Sequence, residues 1–549
     1  MPREFDPVSL EIMWNRLTSV VDEAATTLLR TSFSTIVKES NDYACVLLDA
    51  NGNGLANNTA SIPSFIATVP RTVREFLKKI PGDQWKPGDV VLTNDPWLAS
   101  GHLPDITMAM PIFYKDKLVA FAGTIAHSPD IGGSVWSADT RELYEEGIRI
   151  PVMKLYQAGK PNQILMEIIR ENVRVPEMVF GDLNAQVTAQ TMCRNRLVEF
   201  LEDTDLDDLV DLAEEIQSRA ERVMRRAISG VPDGIYGKTV EMDGYESPII
   251  LHCKITISGD ELEIDFNGSS PQIDRALNCV MTYTYSYATY PIKCALDPHT
   301  PKNEGSYRPI TVKAPKGSIL NPRVPAPVNA RQIIGHMLSA CVFGALHKAI
   351  PEKVKAESGS QPTLRALFTG TGLDGKKFST ILFANGGMGA RYGKDGISCT
   401  PFPTNSSCGS IEVLETRAPL LFWKKEMITD SGGPGRFRGG LGQEIIVEVI
   451  SKDPVRVSLL TDRHKHPAQG YIEGMAGAPN RVFVNDGQYI HPKSQTYLNP
   501  GDRLTINYAG GGGFGPPGER SLQMIESDLA DGLITVESAE RIYGFQGRS

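Results

Sequence analysis

The chain has 549 residues, with 56 basic and 65 acidic side chains and a formal charge of −9. At about 150 residues per domain, this length corresponds to roughly three or four domains, and 41% apolar residues can supply sizeable cores. The mild acidity without a basic block argues against a nucleic-acid partner, and the lack of a run of roughly eighteen apolar residues argues against a membrane span.

The N-terminus, Met1-Pro2-Arg3-Glu4-Phe5-Asp6, lacks the basic-then-apolar layout of a signal peptide, which predicts a cytoplasmic location. Asp6 and Pro7 predict a helix start, and Leu10, Met13, Leu17, Val20, Val21, Ala24 and Leu28 recur at helical spacing. Residues 41–49 read as a strand followed by the hairpin signal Asn51-Gly52-Asn53-Gly54. A second helix is predicted over 64–78, a turn and short buried strand over 86–95, and two strands over 106–126 around Tyr114-Lys115-Asp116-Lys117. Residues 206–228 predict an amphipathic helix with Leu206, Leu209, Leu212, Ile216, Ala220 and Val223 inward, stopped by Gly230-Val231-Pro232-Asp233-Gly234.

Beyond residue 235 the text alternates, as in Ile250–Ile257, while 279–296 and 327–350 read as helical. The last third is rich in strands and glycine, and a closing helix is predicted over Val536–Tyr543. The expected class is α+β, multi-domain, with largely antiparallel sheets and flanking helices. Three parts are expected: a metal-binding catalytic domain over 1–230, a central α+β domain over 231–430, and a glycine-rich β domain with a C-terminal helix over 431–549.

The chemistry-bearing pattern is a duplicated His-x-Pro-Asp: His102-Leu103-Pro104-Asp105 and His127-Ser128-Pro129-Asp130. The hairpin between them, turning near 115–116, pairs residues whose numbers sum to about 231. Asp105 is then expected opposite residue 126, and both motifs reach the same end of the hairpin. Two imidazoles and two carboxylates at one strand mouth form a mixed nitrogen and oxygen donor set for a divalent metal. Zinc suits this mixture best, with manganese or iron as alternatives. Asp42 or Asp95 is expected to add a third carboxylate, and Asp130, where not a ligand, to accept a proton from an activated water. The alternative is that each histidine merely caps a turn, but the duplication favours the metal.

Other signals are weaker. Gly370–Lys376 approaches a phosphate loop, but Lys377 stands where a hydroxyl is required, so Asp374-Gly375 reads as a hairpin turn. Gly510–Gly513 predicts close passage of backbones, or alternatively an anion cradle. Thr461–His466 reads as a polar loop for an anion or subunit contact. Arg141-Glu142 and Glu145-Glu146 either line the site or form a solvated turn. The eight cysteines (Cys45, Cys193, Cys253, Cys279, Cys294, Cys341, Cys399 and Cys408) contain no CxxC and read as small apolar fillers.

Several motifs together resemble the hydantoinase B family, which includes the B-type half of hydantoinases and the matching half of 5-oxoprolinases. They are Asn94-Asp95-Pro96, Gly101–Asp105, His127 with Asp130-Ile131-Gly132-Gly133, Glu145–Pro151, Asn172–Pro176, Gly181-Asp182-Leu183, Asp430–Gly435, Arg438–Gly442 and the Gly510 cluster. The resemblance implies a partner of the hydantoinase A type that binds ATP with magnesium and phosphorylates a carbonyl oxygen of the substrate. It further implies metal ligands Asp42, His102, Asp105 and His127, with Asp130 in or next to the ligand shell.

The first expectation is therefore a metal-binding subunit of a heteromeric ATP-dependent enzyme that hydrolyses a cyclic amide: a hydantoin, oxoproline or lactam. The alternative branch is a ketone carboxylase of the acetone or acetophenone type, joining an enol phosphate to bicarbonate-derived carbon dioxide. A non-catalytic scaffold is the third reading. One departure bears on the branch: the oxoprolinase pattern His-His-Ala-Asp is here His127-Ser128-Pro129-Asp130.

Overall fold

The computed structural model describes residues 5–546 apart from Val135, Thr363 and Asp486. Met1–Glu4, on which the missing signal layout was partly read, lie outside the described residues. No helix among the described residues is long and apolar enough to cross a membrane.

The Asp6 carboxylate accepts from the Val8 and Ser9 amides and starts helix Pro7–Thr31. The first sheet follows, with strands β1 (Tyr43–Asp49), β2 (Gly54–Asn57), β3 (Val90–Thr93), β4 (Asp105–Tyr114), β5 (Lys117–His127), β6 (Met153–Gln157) and β7 (Lys160–Pro161). Their order is β2-β1-β5-β4-β3-β6-β7, antiparallel throughout. Alternation sends Ala44, Val46 and Leu48 to one face, under helix Pro63–Lys79. Tyr43, Cys45 and Leu47 go to the other, under helices Pro7–Thr31 and Pro176–Thr204.

That last helix, together with Gln163–Asn172, occupies a stretch to which the sequence pattern assigns no element. Its inward positions include Asp182, Gln186 and Gln190, so no clean apolar stripe marks it. Helix Val210–Ser229 starts later than expected, with Leu206 and Leu209 buried in the connection before it. Val223, expected inward, is 37% exposed, and Met224 takes the inward place.

A β-bulge between Ile112 and Phe113 corrects the hairpin register. Beyond the bulge Asp105 pairs with His127, not with residue 126.

Strands β8 (Gly234–Met242), β9 (Ile249–Ser258), β10 (Glu261–Asp265) and β11 (Ile310–Lys313) form a second sheet, antiparallel except for β10 beside β11. Helices Met281–Leu296 and Leu338–Leu346 pack nearby; the expected 327–350 helix is split into Gln332–Gly335 and Leu338–Leu346. The C-terminal strands are β12 (Leu364–Thr371), β13 (Lys377–Ala384), β14 (Leu420–Met427), β15 (Gln443–Val449), β16 (Val455–Leu460), β17 (Arg481–Val484), β18 (Gln488–Tyr489), β19 (Gln495–Leu498) and β20 (Arg503–Asn507). They build two sheets, β13-β12-β16-β19 and β14-β15-β20-β17-β18, around a shared apolar core. Asp374-Gly375 turns β12 into β13, with Gly375 at φ +81°. The fold is α+β with several antiparallel sheets. One core cluster crosses residues 230 and 430, joining Leu92 and Met108 to Tyr287, Leu338, Phe383 and Phe514.

The Gly510–Gly513 run threads between other backbones. A Cβ on these residues would overlap carbonyl groups of Ser431, Met388, Gln469 and Pro434. Their amides donate to the carbonyls of Ala478, Gly440, Glu357 and Met475, which leaves none to cradle an anion. The Thr461–His466 loop is buried only in its first half. Asp462 and Arg463 are buried against Lys493 and Glu357, each pair at 2.8 Å, and Asp243 accepts from the amides of His464, Lys465 and His466.

Gly511→Ala should therefore lower stability by about 1–3 kcal/mol or more, because backbone must move. Gly518, with open space around it, should accept alanine within about 0.5 kcal/mol. Thermal unfolding of the two variants checks the contrast.

Candidate metal centre

Three strand ends converge. Asp105 opens β4, His127 closes β5, and Asp42 immediately precedes β1. The His127 amide donates to the Asp42 carbonyl at 3.1 Å, and the Ser128 amide to the Pro104 carbonyl at 2.8 Å, so pairing continues past the strands. His102 lies in the turn before β4. All four side chains are buried.

The Asp105 carboxylate is the centre of the cluster. Its Oδ1 is 2.8 Å from His127 Nδ1 and 3.0 Å from His102 Nε2. Its Oδ2 accepts from Arg331 Nη2 at 2.6 Å and from the Ser100 hydroxyl. Burial alone would raise the Asp105 carboxyl, but His102 and Arg331 together hold it well below the usual carboxylate range.

His102 Nδ1 is 3.1 Å from the Asn329 carbonyl, which only accepts, so Nδ1 carries the proton. In the neutral ring, the Nε2 lone pair then faces an anionic oxygen at 3.0 Å. Protonating Nε2 is opposed by burial and by Arg331, which push His102 down to about 3. Nε2 of both His102 and His127 is buried without a hydrogen-bond partner among the described residues.

A cation between these atoms removes the conflict. The donor atoms of His102, Asp105 and His127 lie within 4.8 Å of one another. At bonds of about 2.1 Å, adjacent donors of an octahedral shell sit about 3.0 Å apart and tetrahedral ones about 3.4 Å. The cavity they border is about 10 Å³, room for a single water-sized sphere. The residues fit a bound divalent ion.

Of the other expected residues, Asp42 borders the same cavity. Burial raises its carboxyl, with Asp105 adding to the effect and His127, Arg365 and Arg331 opposing it. Asp95 is held instead by Arg149 at 2.5 Å. Asp130 does not join the cluster either. Arg174 Nη1 holds its Oδ1 at 2.7 Å, the Arg174 amide binds its Oδ2, and it faces an outer cleft. Ser128, the departure from the oxoprolinase pattern, donates to the Asp130 carbonyl at 2.8 Å and does not border the cavity.

Five residues of the remaining wall have no counterpart among the sequence-predicted site residues: Tyr283, Tyr287, Arg331, His336 and Arg365. The Trp136 ring lies 4.6 Å from that of His127, with the Arg365 guanidinium 4.6 Å from its centroid. One available signal was an arginine set among the apolar residues of 328–345, since a charge in such a run needs a buried partner. Of the acidic turn, Arg141 is exposed and pairs with Asp274, while Glu146 is buried. Glu146 Oε1 accepts from the amides of Val328 and Asn329 at 2.7 and 2.9 Å and from Thr140 at 3.0 Å. It thereby fixes the turn whose carbonyl orients His102.

Burial pushes Glu146 up to about 8, against its three hydrogen bonds. A carboxyl raised on folding contributes stability that is full below its unfolded value of about 4.5 and is lost as pH climbs through 8. Glu146→Gln should keep the turn and flatten the decline between roughly pH 5 and pH 8. Glu146→Ala should cost about 2–5 kcal/mol through stranded amides. Denaturant midpoints across pH test both.

Residues 6–517 match the Hydantoinase B/oxoprolinase family. The chain is 31% identical to a protein of Pseudomonas sp. (strain NS671) named as the B-type component of a D-/L-hydantoinase, over 99% of this chain and 95% of that one. It is 30% identical to the beta chain of the caprolactamase of Pseudomonas jessenii, over 98% and 96%. The crystal structure of the ATP-dependent caprolactamase from that organism superposes with a TM-score of 0.92 at 28% identity, covering 100% of this chain and 98% of that chain. A nucleotide-free acetone carboxylase structure shares the fold with a TM-score of 0.89 at 20% identity, covering 100% and 80%. With a matched segment spanning nearly its whole length, this chain belongs to the hydantoinase B/oxoprolinase family.

Proposed function

We propose that this chain is the metal-holding subunit of a heteromeric ATP-dependent enzyme that hydrolyses a cyclic amide. The observation that carries the reading is the buried convergence of His102, Asp105 and His127 around one small cavity. The full-length similarity to proteins named for hydantoinase and caprolactamase supports the amide branch and a partner subunit. ATP and magnesium are assigned to that partner, of the hydantoinase A type.

In this reading His102, Asp105 and His127 hold a divalent cation, zinc first, and Asp42 completes the donor set. Such a cation supplies Lewis acidity toward an oxygen donor. Arg331 occupies Asp105 Oδ2 and leaves Oδ1 to the cavity. Asn329 fixes the His102 tautomer. Burial pushes Tyr287 up to about 12, so its hydroxyl stays protonated at the cavity wall and can donate to a substrate oxygen. The proton-accepting role expected of Asp130 is not carried over, because Arg174 holds both of its oxygens. One feature favours the ketone carboxylase as a second reading: the Arg365 guanidinium borders the cavity and forms no ion pair among the described residues, a cation suited to an oxyanion.

Elemental mass spectrometry should find about one tightly held metal per chain, lost in His102→Ala/His127→Ala. Absence of metal from the native chain overturns the centre. In the complex with its partner, His127→Ala should abolish turnover without dissolving the assembly; unchanged turnover points to a scaffold. ATP turnover independent of bicarbonate, with a ring-opened product, is the expected result, and bicarbonate dependence selects the carboxylase.

A further inference from the structure

Next to the buried centre lies a cleft of about 610 Å³ to which the sequence pattern assigns no role. Two chain segments link it to the metal cavity. His127 borders the cavity, while Pro129 and Asp130 border the cleft. Along β12, Arg365, Leu367, Thr369 and Thr371 share one face. Arg365 borders the cavity, Leu367 is core, and Thr369 and Thr371 border the cleft. At strand rise the step from Arg365 to Thr369 is about 13 Å.

The walls have a definite chemistry. Val175, Phe378, Pro454 and Tyr497 supply apolar surface. Arg174 is neutralised by Asp130. Arg456 Nε donates to Thr369 Oγ1 at 3.1 Å and Lys377 Nζ to Thr371 Oγ1 at 2.9 Å, and neither forms an ion pair among the described residues. Against these two cations stands Asp453, so the lining is net positive. Two cations held by hydroxyls above an aromatic wall suit a small molecule with an oxyanion on an apolar body.

We propose that this cleft binds such an organic oxyanion, a phosphate monoester or a carboxylate, through Lys377 and Arg456. Only its placement as the antechamber of the buried centre rests on the proposed function; the binding itself does not. A phosphate would correspond to an activated substrate arriving from the partner, and a carboxylate to a ring-opened product leaving.

The test is isothermal titration of the full chain, without partner or nucleotide, with phenyl phosphate and with benzoate. At least one should bind, and Lys377→Gln/Arg456→Gln should weaken it by about tenfold or more. Lys377→Arg/Arg456→Lys should restore binding, which separates charge loss from misfolding. His102→Ala/His127→Ala should leave binding unchanged, so failure of the metal reading and failure of the cleft are told apart. Tighter phenyl phosphate identifies the arriving intermediate, and tighter benzoate the departing product. No binding of either at millimolar concentration, or equal binding by the Gln variant, overturns the proposal.

Discussion

The site depends on one buried carboxylate. Asp105 faces two imidazoles with one oxygen and a guanidinium and a hydroxyl with the other. A charge taken out of water is tolerated only when each of its lone pairs is matched. Arg331 provides that match from more than two hundred residues away, and removing one partner of such a pair typically costs about 3–5 kcal/mol. The same guanidinium lies 4.0 Å from the Tyr283 ring centroid, and its Nε donates to the Ser100 carbonyl. The cavity-facing geometry and the packing of the central segment against the first sheet are therefore one constraint.

The second support is the turn at Val328-Asn329. Glu146 holds it by its amides, and its carbonyl sets the His102 tautomer. This chain of contacts runs from an acidic loop through the central segment back to the hairpin mouth. It explains why an acidic side chain is kept in an apolar interior where it resists ionisation. The glycine runs work at a larger scale. They let backbones near residues 388, 431, 440, 470 and 511 lie within carbonyl contact, a spacing that any side chain would prevent.

Much of the hairpin was legible because its signals are local. The period-two alternation, the turn near residue 115 and the repeated His-x-Pro-Asp place both motifs at one mouth without tertiary information. The register was out by one residue because a bulge at Ile112/Phe113 has no sequence signature here. The long helix Pro176–Thr204 went unread because buried Asp182, Gln186 and Gln190 interrupt its stripe. Two of these polar groups have specific partners: Asp182 accepts from the amides of Phe33 and Ser34, and Gln190 donates to Thr124.

The sequence by itself determined the class of elements, the family, and the ligand candidates on the hairpin, because spacing along a strand dictates which side chains share an end. It did not decide which aspartates face the cavity. Asp42, Asp95 and Asp130 look alike in the text, and only the folded chain assigns Asp95 to Arg149 and Asp130 to Arg174 while leaving Asp42 at the centre. Nor did it supply Arg331, Arg365 or the tyrosine wall, whose role depends on contacts across hundreds of residues. A carboxylate's function is set by its nearest opposite charge, and that neighbour is chosen by tertiary packing.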